Sequence, residues 1–205
     1  MADGLEQIRR SNSDWLKGMT EIGQSDYSRS AGYAASESPT RLDTYRAPVV
    51  NFVYDQEARD LPRHRRPTRA VYVAISDVTR MGEWSEECQA CEWHESYDGP
   101  VVGATFDGHN RHDEHQWTTQ GKVIEADPGR AFVFECSMMD FHYATWGYRI
   151  EPTESGCRVT EWSEDLRPES VMEFSRETSG VDDRTERNRR TMSVTLARLA
   201  ESLES

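Results

Sequence analysis

The stretch D-D-R-T-E-R-N-R-R-T-M-S-V-T-L-A-R-L-A-E-S-L, residues 182–203, determines how the rest of this sequence can fold. Asp183, followed three residues later by Glu186, is typical of a helix N-terminus, and a helix is predicted to begin near Asp182. Apolar residues then recur at steps of four, three and four along one helix face: Met192, Leu196, Leu199 and Leu203, with Val194 and Ala200 at the margins. The preceding strands must cover this face.

The N-terminal half of the same helix face is polar. Going back from Met192, it carries Asn188 and then Thr185 or Arg184. Two interpretations fit this change. In the simpler interpretation, the first turns of the helix are exposed to solvent. In the other, they form part of a pocket wall.

Composition excludes some classes of partner. The chain has 37 acidic and 24 basic residues and a formal net charge of −13, which repels nucleic-acid backbones and anionic lipid surfaces. No apolar run approaches the ~18 residues of a membrane span, and the N-terminus lacks the apolar core of a secretion signal. These features predict a cytoplasmic protein without nucleic-acid or membrane partners, either a monomer or a homodimer.

Cysteine spacing gives a weak signal. Cys88, Cys91, Cys136 and Cys157 are too few for a disulfide scaffold, and reduced thiols are the simplest state. Cys88 and Cys91 have the C-x-x-C spacing, but no second pair follows at zinc-ribbon distance, and on a regular strand the two side chains would face opposite sides of the sheet. Neither a metal site nor a redox role is predicted for this pair, and no cofactor is predicted for the chain.

Periodicity divides the chain into an extension, residues 1–46, and a domain, residues 47–205. The extension combines a weak helix over residues 3–22 with a flexible Ser, Ala and Gly connector. In the domain, a strand over residues 47–54 precedes two short helices over 67–83 that meet at Asp77. Six strands with hairpin turns follow, and the long helix ends the chain; the strands are predicted at 86–97, 103–111, 115–125, 131–139, 145–153 and 157–166.

Four motifs resemble those of START/Bet v1-like (SRPBCC) proteins of the polyketide cyclase/dehydrase group: S-D-V-T-R-M-G-E-W-S-E-E-C (76–88), V-G-A-T-F-D-G-H-N (102–110), E-A-D-P-G-R-A-F-V-F (125–134) and R-V-T-E-W (158–162). The resemblance covers residues 47–203. It implies an α+β helix-grip fold, with a seven-stranded antiparallel sheet wrapped around the long C-terminal helix and a cavity for an apolar or aromatic molecule between them. The chain departs from the pattern in its N-terminal extension, in a long connection from the first strand to the first helix, and in the insertion 167–181.

Strand alternation predicts which side chains face this cavity, although a shift of one residue would reverse every assignment. Gly108 would leave room for a ligand, and Asn188 and Met192 face the sheet from the helix. The inward sets on three strands are Phe106, Gly108 and Asn110; Trp146, Tyr148 and Ile150; and Val159, Glu161 and Ser163. Their polar members either line the pocket or satisfy one another in a hydrogen-bonded network.

Glu161 is the principal candidate for chemistry. A carboxyl group in an apolar cavity loses hydration, which raises its pKa toward the range useful for proton transfer. The favoured structural alternative is an ion pair with Arg149 or Arg184. Tyr148 is a second candidate catalytic residue, while Trp117 and Trp146 could stack on an aromatic ligand or belong to the core.

Histidines cluster at one hairpin tip, where His109, His112 and His115 fall at steps of three and Asp113 and Glu114 separate the last two. Three-residue steps across a hairpin scatter side chains to both faces, so a solvated tip is predicted rather than a zinc site. His109 alone, near the expected cavity mouth, remains a candidate acid or base.

Three functions remain open: a cyclase- or aromatase-like enzyme of antibiotic biosynthesis, a non-catalytic carrier or self-resistance protein that sequesters a natural product, and a structural module with a filled cavity. Two or more titratable groups converging in the cavity would favour the enzyme. A purely apolar lining would favour the binder.

Overall fold

The computed structural model describes residues 50–55, 66–138, 141–154 and 156–204, and the predicted extension 1–46 lies outside these residues. Within these residues, seven antiparallel strands form one sheet in the order β1-β7-β6-β5-β4-β3-β2, and β1 pairs with β7 at one edge. The strands are β1 (Val50–Asp55), β2 (Cys88–Trp93), β3 (Thr105–His112), β4 (His115–Asp127), β5 (Ala131–Met138), β6 (Phe141–Pro152) and β7 (Gly156–Asp165). The predicted α+β helix-grip fold is confirmed.

In the part of the chain that the structure describes, three α-helices accompany the sheet: α1 (Arg66–Ser76), α2 (Met172–Ser179) and α3 (Arg184–Glu204). A 3-10 helix, Val78–Glu83, follows α1 after Asp77, whose side chain accepts a hydrogen bond from the backbone N–H of Thr79 at 3.2 Å. A second 3-10 turn, Glu169–Val171, precedes α2. Helix α2 lies inside the insertion 167–181, for which the sequence predicted no secondary structure.

Helix α3 begins at Arg184, close to the predicted start near Asp182, and Asp183 supplies the cap, as its spacing to Glu186 predicted. The Asp183 carboxylate accepts a hydrogen bond from the backbone N–H of Glu186 at 2.9 Å. Met192, Leu196 and Leu199 are buried, and the helix packs across β1 and β7. Within the described ranges, no helix has both the length and the apolar character needed to cross a lipid bilayer.

The strand register shifts at three places in the described sheet, and each shift leaves one residue unpaired: Gln89 in β2, Ile124 in β4 and Tyr143 in β6. Such a β-bulge reverses the alternation of side chains beyond it. The bulge at Gln89 therefore returns Cys91 to the face that Cys88 occupies, and both thiols are buried. The prediction that these two side chains face opposite sides of the sheet is wrong.

Gly82 allows the first 3-10 helix to lie directly against this bulge. A Cβ atom added at Gly82 would stand 2.2 Å from the carbonyl oxygen of Gln89 and 2.8 Å from its carbonyl carbon. Only glycine permits two backbones to approach this closely. The contact fixes the position of β2 and of Cys88 and Cys91 on either side of the bulge.

Candidate functional site

A cavity of about 210 Å³ lies between the concave face of the sheet, α2 and the N-terminal half of α3. Its wall is mainly apolar. The rings of Phe106 and Phe134 meet edge to face, with centroids 5.4 Å apart, and Trp146 and Met81 extend the same surface. Gly108 keeps this wall open, because a Cβ atom there would stand 3.2 Å from Thr119 Oγ1 and 3.6 Å from Cys91 Sγ.

Glu161 contributes a buried carboxyl group to this apolar wall. It lies on β7 directly opposite Tyr148 on β6, so that the two side chains are cross-strand neighbours. The Tyr148 hydroxyl donates a hydrogen bond of 2.9 Å to Glu161 Oε1. The second oxygen, Oε2, is buried and has no hydrogen-bond partner among the described residues. Glu161 is only 4% exposed and lines the cavity.

Burial sets the protonation state of this pair. Loss of hydration raises the pKa of the Glu161 carboxyl to about 8, against a smaller lowering by the Tyr148 hydrogen bond. Burial, and then the neighbouring Glu161, also raise the pKa of Tyr148 well above its ordinary value, so the phenol stays a neutral donor. At neutral pH Glu161 is mostly a neutral acid. Because Oε1 accepts from Tyr148, the acidic proton belongs on Oε2.

The favoured sequence interpretation, an ion pair between Glu161 and Arg149 or Arg184, is wrong. Arg149 Nη1 lies 2.6 Å from Glu125 Oε1, and Arg184 Nη1 lies 2.7 Å from Glu87 Oε2. Residue 149 sits one position beyond Tyr148 on β6, where alternation turns its side chain to the outer face of the sheet. Glu161 therefore has a neutral partner in Tyr148, which leaves its pKa raised.

The polar half of α3 forms one end of the cavity, which supports the pocket-wall interpretation of the sequence. Arg184, Asn188, Thr191 and Thr195 line this end, whereas Thr185 is exposed. The Arg184 guanidinium lies over the Trp117 ring, 5.6 Å from its centroid. The helix thus places polar groups at one end of an otherwise apolar space.

A half-buried ion cluster anchors this end of α3 to the start of β2. Glu87 Oε2 accepts from Arg184 Nη1 at 2.7 Å, and Glu87 Oε1 accepts from Arg187 Nε at 2.9 Å. The three side chains are only 15–17% exposed. Water therefore screens these charges less than it screens those of a surface pair.

Replacing Glu87 by Ala is expected to lower the free energy of unfolding by about 1–3 kcal/mol, because two partly desolvated guanidinium groups lose their partner. Urea denaturation measures the change. Glu125→Ala is the matched control: its ion pair with Arg149 is 38–50% exposed, so its loss should cost less than about 1 kcal/mol. Equal losses in the two variants would contradict the assigned role of the cluster.

Helix α2 covers the cavity and rests on the β3–β4 hairpin. The helix and the turn before it contribute Val171, Phe174, Thr178 and Ser179 to the cavity lining. His112 Nδ1 lies 3.0 Å from the carbonyl oxygen of Ser179. Gly180, the next residue, has a φ of 63° and packs against the ring of His115. The tip residues Asp113 and Glu114 are exposed, as a solvated tip requires, but α2 and Gly180 pack against His112 and His115 beside them. Within the described residues no cluster of three metal ligands forms.

The structure brings together most of the residues that alternation had selected. Nine of the eleven candidates line the cavity: Phe106, Gly108, Asn110, Trp117, Trp146, Tyr148, Glu161, Ser163 and Asn188. His109 and Met192 do not. His109 lies between two inward residues of β3, so it faces outward, where its ring contacts Thr118 Oγ1 at 3.2 Å and Glu92 Oε1 at 3.3 Å. Met192 is 1% exposed and packs in the core.

Sequence analysis missed many polar groups of the lining, among them Tyr143 and the thiols of Cys88, Cys91 and Cys136. Tyr143 and Cys91 reach the cavity through β-bulges, for which a single sequence gives no clear signal. Cys136 alternates with Phe132 and Phe134 on β5, so the period of that strand could have identified it.

Comparisons with known proteins agree with this geometry. The family model described as "Polyketide cyclase / dehydrase and lipid transport" matches residues 64–204. The Polyketide_cyc-like protein Cgl2372 from Corynebacterium glutamicum is similar at 32% identity, with 77% of this chain and 93% of that chain covered and a TM-score of 0.41. The comparison with curated proteins found no match.

Two more distant solved structures share the fold. Protein CV1439 from Chromobacterium violaceum is 17% identical, with a TM-score of 0.54 over 79% of this chain and 97% of that chain. Ginseng major latex-like protein 151 from Panax ginseng is 11% identical, with a TM-score of 0.53 over 78% of this chain and 97% of that chain. Because the family model matches residues 64–204, more than half of the chain, the protein belongs to the polyketide cyclase/dehydrase and lipid transport family.

Proposed function

We propose that this protein binds a small apolar or aromatic molecule that carries a carbonyl oxygen, such as a polyketide, and that Glu161 assists its enolisation or cyclisation. One observation carries the proposal: the buried Oε2 of Glu161, in the cavity wall, has no hydrogen-bond partner among the described residues. An unpartnered buried polar atom costs free energy, and a ligand carbonyl would satisfy it.

The chemistry follows from the protonation state of the pair. Neutral Glu161 donates its Oε2 proton toward the ligand carbonyl oxygen, while Tyr148 keeps Oε1 occupied as an acceptor. As the carbon next to the carbonyl loses a proton to water, negative charge develops on that oxygen, and the acid stabilises it. The aromatic wall holds the reacting carbons in position.

A non-catalytic binder, such as a carrier or self-resistance protein, is the second candidate, and the mainly apolar lining favours it. The cavity nevertheless contains two adjacent titratable groups, Glu161 and Tyr148, one of which has a pKa near neutrality. A simple apolar carrier does not need such a group. We therefore give the enzyme precedence.

An aromatic ketone, 2-acetonaphthone, provides the test, because its methyl hydrogens exchange with deuterium oxide only through the enol. Glu161→Gln keeps the shape and the hydrogen bond from Tyr148 but removes the acid. We expect the protein-catalysed exchange, followed by NMR, to fall about 100-fold in this variant, while the Kd for the ketone changes little. Glu151→Gln, the same change at an exposed position of β6, should leave both unchanged.

The pH profile identifies the role of Glu161 in this exchange. If the neutral acid is the active form, the rate constant of the bound ketone should fall as the pH rises through about 8, because the acid ionises there. A rate that rises through the same range would instead assign Glu161 as a base. Tight binding without any catalysed exchange would favour the non-catalytic binder.

A further inference from the structure

Three thiols and a thioether collect at one side of the cavity, and the proton-transfer chemistry uses none of them. Cys88, Cys91, Cys136 and Met81 all line the space, while Cys157 lies elsewhere. Cys88 Sγ and Cys91 Sγ are 3.2 Å apart, and Cys91 Sγ is 4.0 Å from Met81 Sδ. All four cysteines are free thiols.

The bulge at Gln89 creates the thiol pair. On a regular strand, residues three apart point to opposite faces, but the extra residue brings Cys88 and Cys91 to the same concave face. Gly82 packs against the bulge backbone, and Gly108 leaves the space next to Cys91 Sγ open. Backbone geometry therefore holds the two sulfurs together within reach of any small molecule in the cavity.

We propose that Cys88 and Cys91 form a reversible dithiol–disulfide site in the cavity wall, so that oxidation of this pair changes what the cavity binds. A disulfide requires the two sulfurs to approach from 3.2 Å to about 2.05 Å. The movement draws Cys91 Sγ away from its present neighbours and reshapes the wall opposite Gly108.

The two thiols have different roles in the oxidation. The hydrogen bond from Cys91 lowers the pKa of Cys88, and the same bond, together with burial, raises the pKa of Cys91. Cys88 is therefore the attacking thiolate. Its sulfur attacks one oxygen of hydrogen peroxide, the O–O bond breaks, and the leaving hydroxide takes a proton to become water.

The sulfenic acid formed on Cys88 is then resolved by Cys91. The Cys91 sulfur attacks the Cys88 sulfur, the S–O bond breaks, and the hydroxide that leaves takes the Cys91 proton as a second water. Two thiols have lost two electrons and two protons, and one peroxide has become two waters. A small dithiol such as dithiothreitol reverses the reaction by thiol–disulfide exchange.

Treating the reduced full-length protein with one equivalent of hydrogen peroxide tests the site. We expect intact-mass spectrometry to show the loss of two hydrogens, peptide mapping to place the bond between Cys88 and Cys91, and dithiothreitol to restore the mass. In Cys91→Ser, oxidation should stop at a Cys88 sulfenic acid that dimedone traps. Cys157→Ser, a buried thiol away from the cavity, should behave as wild type.

Results that would overturn the proposal are a wild-type protein that yields only a dimedone adduct, or a bond that joins Cys136 to either partner. The binding arm compares the Kd of 2-acetonaphthone for the reduced and oxidised forms, and we expect them to differ at least about fivefold. Equal Kd values would refute the link between oxidation and binding. If neither form binds the ketone, the proposed function fails for this ligand class, while the mass measurement still decides the disulfide.

Discussion

The Glu161→Gln variant is expected to be more stable than the wild-type protein by about 3–5 kcal/mol at pH 9 and equally stable at pH 4. The pKa of Glu161 is about 8 in the folded protein and close to its ordinary value of 4.5 in the unfolded chain. Between these values the folded state holds one more proton than the unfolded state. The contribution of Glu161 to the wild-type free energy of unfolding therefore falls with rising pH, by about 1.4 kcal/mol per unit, until Glu161 ionises.

Urea denaturation over this pH range measures the effect. Gln at position 161 does not titrate, so the difference between the variant and the wild type should grow from about pH 4.5 and level off above pH 8. Glu151→Gln controls for the general loss of one acidic residue from an acidic chain. If the free energies of unfolding of Glu161→Gln and wild type run parallel against pH, burial does not raise the pKa of Glu161. That result would contradict its proposed role as an acid.

Gly82→Ala is expected to lower the free energy of unfolding by about 3 kcal/mol. The added methyl carbon would stand 2.2 Å from the Gln89 carbonyl oxygen. The backbone fixes the positions of both atoms, so no side-chain rotation can relieve the clash. The 3-10 helix and β2 must therefore separate. Since Gln89 is the bulge residue, the same variant should also slow disulfide formation between Cys88 and Cys91.

Gly99→Ala is the matched control, because nothing lies within 4 Å of a Cβ atom at Gly99. Its free energy of unfolding should change by less than about 0.5 kcal/mol. Thermal and urea denaturation of both variants measure the difference. If Gly82→Ala is as stable as Gly99→Ala, the close approach between the 3-10 helix and the bulge does not constrain the fold.

The strands and helices were predictable because their signals are local. Hairpin turns such as Asp127-Pro128-Gly129 and the stripe from Met192 to Leu199 depend on neighbours in sequence, and the structure has both. Helix α2 was not predicted, since the insertion carries few apolar residues. Its stability depends on contacts with the hairpin tip at His112 and His115.

The candidate site was predictable only where alternation was undisturbed. No bulge interrupts the pairing of β6 with β7 around Glu161, so its inward direction followed from period two. The hydrogen-bond partner of Glu161 could not be predicted in this way. Choosing Tyr148 over Arg149 requires the register between β6 and β7. Tyr143 and Cys91 were missed because one unpaired residue, placed by tertiary contacts such as that of Gly82, reverses the face of a strand.

The position of β1 at the edge of the sheet has a consequence for the order of folding. Strands β2 to β7 each pair with a neighbour in sequence, so their hairpins close short loops at low entropic cost. The β1–β7 ladder instead joins residues as distant as Val50 and Glu161. The meander from β2 to β7 should therefore assemble first and β1 dock last, and thermal opening should begin at β1, next to the strand that carries the buried acid.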